Sequence, residues 1–383
     1  MQPYEFQTTT RIVFGPGLAL KAGEEVVKLG GTKALIVTDP GVEKAGLLNG
    51  LIEGLTAARI PYSVFNKVEP NPYVEIFDEG AGFLKKHQCN VVIGIGGGSS
   101  MDVAKGIGIL ATNGGSIKDY AQGLSVKNPP IPVLAVPTTA GTGSEVSWHI
   151  SVKDKASNFK MSVRSPYAMP RVAILDPTLL ATLPASVIAA TGMDAFTHAL
   201  ECYISPLASE LTDAIAERSL KLIANNLRPF FANPKNIEAA GNMLQGAMMA
   251  GMLISHARTG AVHAMSRPLG GFFNLSHGLA NAILLPYVMR FNWVAQVDKF
   301  ANLAQIMGEP VDRLSKREAA LKAIEAVENL CKDLDIPLRL RDVGVTPDKI
   351  PLMAQDAMEI GTMRLNPRIA SLEQVISIYQ MAF

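Results

Sequence analysis

Cysteine, one-signed charge and long apolar runs are all scarce in this chain, and each scarcity closes off a class of function. The three cysteines, Cys89, Cys202 and Cys331, stand in no CxxC spacing, which argues against a disulfide framework and against a thiolate metal site. Lys plus Arg number 35 and Asp plus Glu 34, for a net charge of +1. With the two signs interspersed there is no long-range field to draw in nucleic acid or an anionic membrane. No apolar stretch approaches the ~20 residues that cross a bilayer, and the opening MQPYEFQTTTRIVFGPG lacks a basic-then-apolar leader pattern. The expectation is a cytoplasmic protein without nucleic-acid or membrane partners. No internal repeat or low-complexity tract interrupts it.

What is present suits a packed globular chain. Of 383 residues, 48% are hydrophobic and 18% charged, enough material for two domains. Up to about residue 180, short β-branched runs alternate with helical stretches. Residues 34–38, 91–95 and 131–136 read as buried parallel strands, and 17–29, 41–58, 74–87 and 101–110 as crossover helices. Beyond Pro184 the β-branched runs give way to long amphipathic segments at 209–226, 237–255, 297–307 and 316–334. The expected architecture is a doubly wound α/β dinucleotide-binding domain over 1–183, followed by an all-helical metal-binding and catalytic domain over 184–383.

The helical half carries the most informative feature. In TGMDAFTHALE (191–201), Asp194 and His198 are spaced i, i+4 and share one helix face, so both can converge on one ion. His263 and His277 lie downstream in a second apolar stretch. Only six histidines occur in the chain, and three of them fall in these two segments, where an unpartnered imidazole costs free energy. One carboxylate and three imidazoles suit Fe(II) or Zn(II) better than Ca(II) or Mg(II), which prefer oxygen. Affinity order alone does not choose between iron and zinc.

In the α/β half, VVIGIGGGSSMD (91–102) is a strand running through Gly96, Gly97 and Gly98 into a helix that begins near Ser99 and Ser100. Such a turn lets backbone approach a pyrophosphate, whose charge the helix N-terminus attracts. Asp102 closes this segment and is placed with it in the cofactor site. Asp39, at the end of the 34–38 strand, is positioned to accept from an adenosine ribose diol and to repel a 2′-phosphate, which favours NAD over NADP. PTTAGTGSE (137–145) brings Thr138, Thr139 and Thr142 to the same carboxyl edge of the sheet.

Together, GGGSSMDVAK (96–105), PTTAGTGSE (137–145), ATGMDAFTHALE (190–201), VHAMSRPLGG (262–271) and SHGLANAILLP (276–286) resemble the iron-containing, group III alcohol dehydrogenase family over the full chain. The resemblance implies an NAD(P)-binding domain, a helical metal domain and a cleft between them. It puts the metal on Asp194, His198, His263 and His277, and the cofactor on Gly96 to Ser99, Thr138 to Thr142 and Asp39, with Lys160 near the cofactor. Asn71 falls at a position near the nicotinamide and substrate. The implied enzyme is an NAD(H)-dependent alcohol dehydrogenase or aldehyde reductase with Fe2+, Zn2+ or Mn2+, acting on a small aldehyde or alcohol as a homodimer or larger homo-oligomer.

One position departs from the family pattern. Where it usually reads HAMAHPLGG, this chain has HAMSRPLGG, so Arg267 replaces a histidine. On an ideal helix Arg267 lies about 40° round from His263, and an arginine shuttles no proton at neutral pH. A bland role is a salt bridge to Glu201 or Asp213. The sharper expectation is that Arg267 grips an acidic substituent on a short aldehyde, a carboxylate, sulfonate or phosphonate, with His149 or Lys160 assisting and Trp148 and His149 forming substrate wall. Placed on the same ideal helix, His256 falls about 20° from His263 and Arg258 about 140° away. That puts His256 at the pocket rim and Arg258 outside the pocket. The rival functions are a general short-chain alcohol or diol dehydrogenase with a neutral substrate, and an NAD- and metal-dependent lyase resembling dehydroquinate synthase.

Overall fold

The computed structural model describes residues 3–155 and 160–383, Lys160 through its backbone only. The chain divides into two compact units, residues 7–182 and residues 183–383, the latter joined by the N-terminal residues up to Phe6.

The first unit is built from β1 (Arg11–Phe14), α1 (Ala22–Lys28), β2 (Ala34–Val37), α2 (Pro40–Lys44), α3 (Asn49–Ala57), β3 (Tyr62–Phe65), α4 (Val74–His87), β4 (Val91–Gly96), α5 (Gly98–Asn113), α6 (Ile117–Ala121), β5 (Val133–Pro137), β6 (His149–Lys153), β7 (Lys160–Arg164) and β8 (Val172–Leu175). Six of these strands form one sheet in the order β1-β8-β5-β4-β2-β3, parallel at every pairing, while β6 and β7 make a separate antiparallel pair. The inner strands β2, β4, β5 and β8 are buried along their whole length. That is the signature of a sheet covered on both faces, and it explains their unbroken Val/Ile/Leu runs. After β2 the chain steps outward to β3, whereas after β4 it steps the other way to β5. The order therefore reverses between β2 and β4, and ligands of such sheets bind beyond the strand ends at that reversal. Register brings Val37 level with Gly94 and Gly96 level with Pro137, so the segments starting at Thr38, Gly97 and Thr138 leave the sheet side by side.

The helix expected over 41–58 is two helices. Gly46 adopts φ 72° between them, a left-handed turn that interrupts the α2 hydrogen-bond ladder.

The second unit holds α7 (Ala185–Ile204), α8 (Glu210–Ala232), α9 (Ile237–Ile254), α10 (Ala261–Phe273), α11 (His277–Asn292), α12 (Val297–Ile306), α13 (Lys316–Asp333), α14 (Ile350–Glu359) and α15 (Leu372–Ala382). Among its described residues there is no strand. Sequence-encoded caps start several helices, with Ser315 and Glu318 closing a reciprocal box at α13 and Ser371 and Gln374 another at α15. Helix α7 is the spine, buried without a break from Gly192 to Ile204 and packed on α8, α9 and α11. Fully buried side chains such as Phe196 and Leu200 each contribute ~1.5–3 kcal/mol to its docking.

The helix assumed to carry both His256 and His263 does not exist. Arg258 takes a left-handed φ of 63°, and its amide folds back toward the Leu253 carbonyl. The chain therefore turns between α9 and α10. His256 sits in that turn, its ring stacked on Phe6 with centroids 4.1 Å apart and its Nδ1 2.8 Å from the Met252 carbonyl oxygen. The ideal-helix angles linking His256 and Arg258 to His263 accordingly have no meaning here.

Candidate active site

Three helices bring one carboxylate and three imidazoles together. Asp194 and His198 lie one turn apart on α7, His263 is in the first turn of α10, and His277 opens α11. Helix α11 can reach α7 because residue 278 is glycine. A Cβ there would stand 2.2 Å from the Ala190 carbonyl oxygen and 3.3 Å from the Asp194 Cβ, so the crossing that delivers His277 tolerates no side chain.

Oδ1 of Asp194 lies 3.9 Å from His198 Nε2, 3.8 Å from His263 Nε2 and 3.9 Å from His277 Nε2. The ligand atoms of Asp194, His263 and His277 all fall within 4.8 Å of one another, and the rings of His198 and His263 stack with centroids 4.5 Å apart. Metal bonds of ~2.1 Å in tetrahedral array put ligand atoms ~3.4 Å apart, so each imidazole stands about half an ångström further from the Asp194 oxygen than a shared ion would hold it. Asp194, His198 and His263 are buried and His277 is partly open, which leaves one side from which a small molecule can approach. Burial alone would raise the Asp194 carboxyl, but the imidazoles of His198, His277 and His263 and the amide of Asn281 bring it down to about 2.

Asn281, one turn beyond His277, supplies a further test of fit. Its Nδ2 donates to Asp194 Oδ1 at 2.7 Å and stands 3.3 Å from Nε2 of both His263 and His277. Its own Oδ1 is buried with no hydrogen-bond partner among the described residues. The carboxylate oxygen and two ring nitrogens thus gather round one amide N–H, and a cation in its place would meet a donor set of the kind divalent iron or zinc accepts.

Glu201, weighed from the sequence only as a salt-bridge partner for Arg267, instead binds His263 Nδ1 at 2.6 Å. Ser266 Oγ lies 3.4 Å from Nδ1 of His277. Asp213, also weighed beside Arg267, is bridged by Lys299 at 2.7 Å. Arg267 itself is half-buried on α10, one turn past His263.

In the first unit, the sheet edge gathers most of the residues expected to bind a dinucleotide. Gly96 has φ 145°, open to glycine alone, and a Cβ on it would meet Ser100 Oγ at 2.6 Å and Asp39 Oδ2 at 3.3 Å. A Cβ on Gly98 would lie 2.8 Å from the Thr142 side chain, and one on Gly97 3.7 Å from Thr139 Oγ1. The Thr138 amide donates to the Gly96 carbonyl at 2.9 Å. The glycine turn and the threonine loop therefore form a single wall. Helix α5 begins at Gly98 with Ser99 in its first turn, and no side chain caps it, so its first amides are available to a phosphate.

Asp39 does two things at once. Oδ1 caps α2 by accepting from Gly41 and Val42 at 2.9 and 3.0 Å, while Oδ2 faces the glycine turn and accepts from Ser100 Oγ at 3.4 Å. Asp102, by contrast, faces inward. Its Oδ1 accepts from Ser144 Oγ at 2.5 Å and pairs with Lys105 at 3.2 Å, and its Oδ2 accepts from the Ser151 amide at 2.8 Å. Both oxygens help to hold the 144–151 segment. Lys105, fully buried, does similar work by donating to the carbonyls of Ser144, Ser147 and His149 at 2.9, 3.2 and 2.8 Å. His149 starts β6 opposite Arg164. Asn71 is exposed with φ 53°, a left-handed conformation that asparagine tolerates better than most residues. Lys160 pairs its backbone with Lys153; its side chain lies outside the described residues.

Comparison with known proteins covers the same two units. The family described as "Iron-containing alcohol dehydrogenase" matches residues 9–177, and the one described as "Fe-containing alcohol dehydrogenase family, C-terminal" matches residues 188–383. The chain is 42% identical over 372 residues to a 1,3-propanediol dehydrogenase of Klebsiella pneumoniae, covering 97% of this chain and 96% of that protein. A crystal structure of a 1,3-propanediol oxidoreductase superposes with a TM-score of 0.97 at 41% identity, covering 100% of both chains. A sulfoacetaldehyde reductase from Bifidobacterium kashiwanohense, solved in complex with NAD+, superposes with a TM-score of 0.91 at 28% identity, covering 100% of this chain and 99% of the other.

Proposed function

Because the chain belongs to the iron-containing alcohol dehydrogenase family, and is thereby an alcohol–aldehyde oxidoreductase, we propose that it uses NAD(H) and one divalent ion to reduce a short aldehyde bearing an acidic group. The observation that best supports the metal-dependent part is that the imidazoles of His198, His263 and His277 all stand within 3.9 Å of one Asp194 oxygen. These four residues would hold Fe2+, with Zn2+ or Mn2+ as substitutes, and the bound ion supplies Lewis acidity toward a carbonyl oxygen. NAD(H) supplies or accepts the hydride. Gly96 to Ser99 with Thr138, Thr139 and Thr142 would bind its pyrophosphate, Asp39 its ribose diol, and Asn71 and Lys160 would contact it further along.

The acidic substituent is argued from residue 267. Arginine stays protonated at neutral pH, so a fixed cation stands at the position where the family pattern has a histidine, and it is this charge that is proposed to bind an anion. A pair of opposite charges at 4 Å and an effective dielectric of about 20 is worth ~4 kcal/mol before desolvation. Of this, ~1.5–3 kcal/mol survives as a charge-assisted hydrogen bond, and each ~1.4 kcal/mol is tenfold in kcat/KM. The sulfoacetaldehyde reductase among the structural relatives acts on an aldehyde of this charge. The propanediol dehydrogenase favours the second reading, a neutral short-chain alcohol or diol.

Arg267→Ala separates the two. The expected result is a loss of about 10- to 100-fold in kcat/KM on an acidic aldehyde, with a much smaller change on a neutral aldehyde of equal length. Equal losses on both reject the anion grip and leave the neutral substrate.

A further inference from the structure

We infer that Glu201 is a positioning residue of the metal centre, its buried carboxylate setting both the orientation of His263 and the start of the helix that carries it. This rests on the proposed metal site and adds a residue to which no ligand or cofactor role had been given.

Glu201 follows Asp194 by two turns and His198 by one on α7, which keeps all three near one helix face. It is 3% exposed, and its two oxygens are taken up by a single stretch of the neighbouring chain. Oε2 accepts from the Gly260 amide at 2.9 Å and from His263 Nδ1 at 2.6 Å, and Oε1 accepts from the Val262 amide at 2.6 Å. Helix α10 has no side-chain cap of its own at Gly260. A carboxylate from α7 therefore fills that place, satisfying amides that would otherwise be buried without partners and putting negative charge at the helix N-terminus.

The third bond goes beyond a structural staple. With its Nδ1 proton donated to Glu201, His263 presents the lone pair of Nε2 toward Asp194 Oδ1, 3.8 Å away. That is the tautomer and the ring orientation a metal requires. Outer carboxylates of this kind commonly tighten metal binding by fixing the ring before the ion arrives. A role limited to joining α7 to α10 would need only the two amide bonds.

The discriminating measurement is Co(II) affinity of the full-length protein, by competition with a chromophoric chelator, together with the ligand-field spectrum of the bound ion and the melting temperature of the metal-free protein. Glu201→Gln keeps the shape but cannot accept at all three positions. It is expected to bind Co(II) about 10- to 100-fold more weakly, with a shifted spectrum. Gly260→Ala is the finer probe. It leaves every ligand and the carboxylate chemically unchanged; φ −127° with ψ −139° suits glycine better than alanine, so the melting temperature of the metal-free variant is read beside its affinity. The new Cβ would lie 3.1 Å from Glu201 Oε1, so it displaces the carboxylate slightly and is expected to weaken Co(II) binding by less than Glu201→Gln does. A folded variant of either kind that binds Co(II) within about twofold of the wild type, with an unchanged spectrum, overturns the inference; a twofold change is only ~0.4 kcal/mol. If Glu201→Gln does not fold, Gly260→Ala decides alone. A wild-type protein that takes up no Co(II) overturns the metal-site reading and this inference with it, whereas a wild type that binds while both variants match it overturns only the role of Glu201.

Discussion

A carboxylate that caps a helix with one oxygen and faces a glycine turn with the other separates structure from recognition within a single side chain, and Asp39 is such a group. Asn is as good an N-cap as Asp, so Asp39→Asn should keep α2 intact while removing the charge proposed to repel a 2′-phosphate. The expected outcome is a rise of roughly tenfold in kcat/KM with NADPH relative to NADH, at an unchanged melting temperature. An unaltered cofactor ratio would show that Asp39 does no more than cap. The gathering of one carboxylate and three imidazoles could be read in the sequence because Asp194 and His198 keep helical spacing and because histidines are rare in apolar stretches. Glu201 could not be read in the same way, since its partners, Gly260, Val262 and His263, lie some sixty positions on. The available signal was its place on the face of α7 shared by Asp194 and His198. The partners of Asp102 were equally out of reach: it sits in the motif that suggests the cofactor, and spacing gives no sign that its oxygens also bind Ser144, Ser151 and Lys105.

At the scale of elements, the site depends on how closely α11 crosses α7. Gly278→Ala would bring a methyl group to 2.2 Å from the Ala190 carbonyl oxygen, and backbone cannot move aside as a flexible side chain can. The helices must part, at a cost of ~1–3 kcal/mol. His277 would be carried away from Asp194 with its helix. Urea unfolding together with Zn(II) affinity should therefore show lower stability and weaker binding at once, and a variant with both unchanged would refute the crossing as the source of the geometry. Periodicity marks the inner strands β2, β4 and β5 because each is buried on both faces. It passes over β1 and β3, edge strands that are mostly exposed or half-buried, and also over β8, although its four buried residues match β2 in length. The break between α2 and α3 at Gly46 and the turn at Arg258 are left-handed backbone choices. Apolar spacing carries no trace of them, and the second was enough to make His256 look like a neighbour of His263.

For the whole molecule, the alternation of β-branched and helical segments followed by helices alone was sufficient to give the two architectures, and the five motifs fall in family order from one end to the other. Near-zero net charge leaves selectivity to local groups, which is why the chemistry of one position, Arg267, weighs so heavily in the choice of substrate. The metal-dependent transfer of hydride to an aldehyde underlies all of these expectations, and the most direct test of it is a stoichiometric assay on the purified protein. NADH consumed and alcohol formed are measured together, after stripping with a chelator and again after adding back Fe(II), Zn(II) or Mn(II). The expected result is one NADH oxidised per aldehyde reduced, with turnover lost on stripping and restored by at least one of the three ions. Full turnover in the stripped protein, or conversion of substrate without loss of NADH, would contradict it.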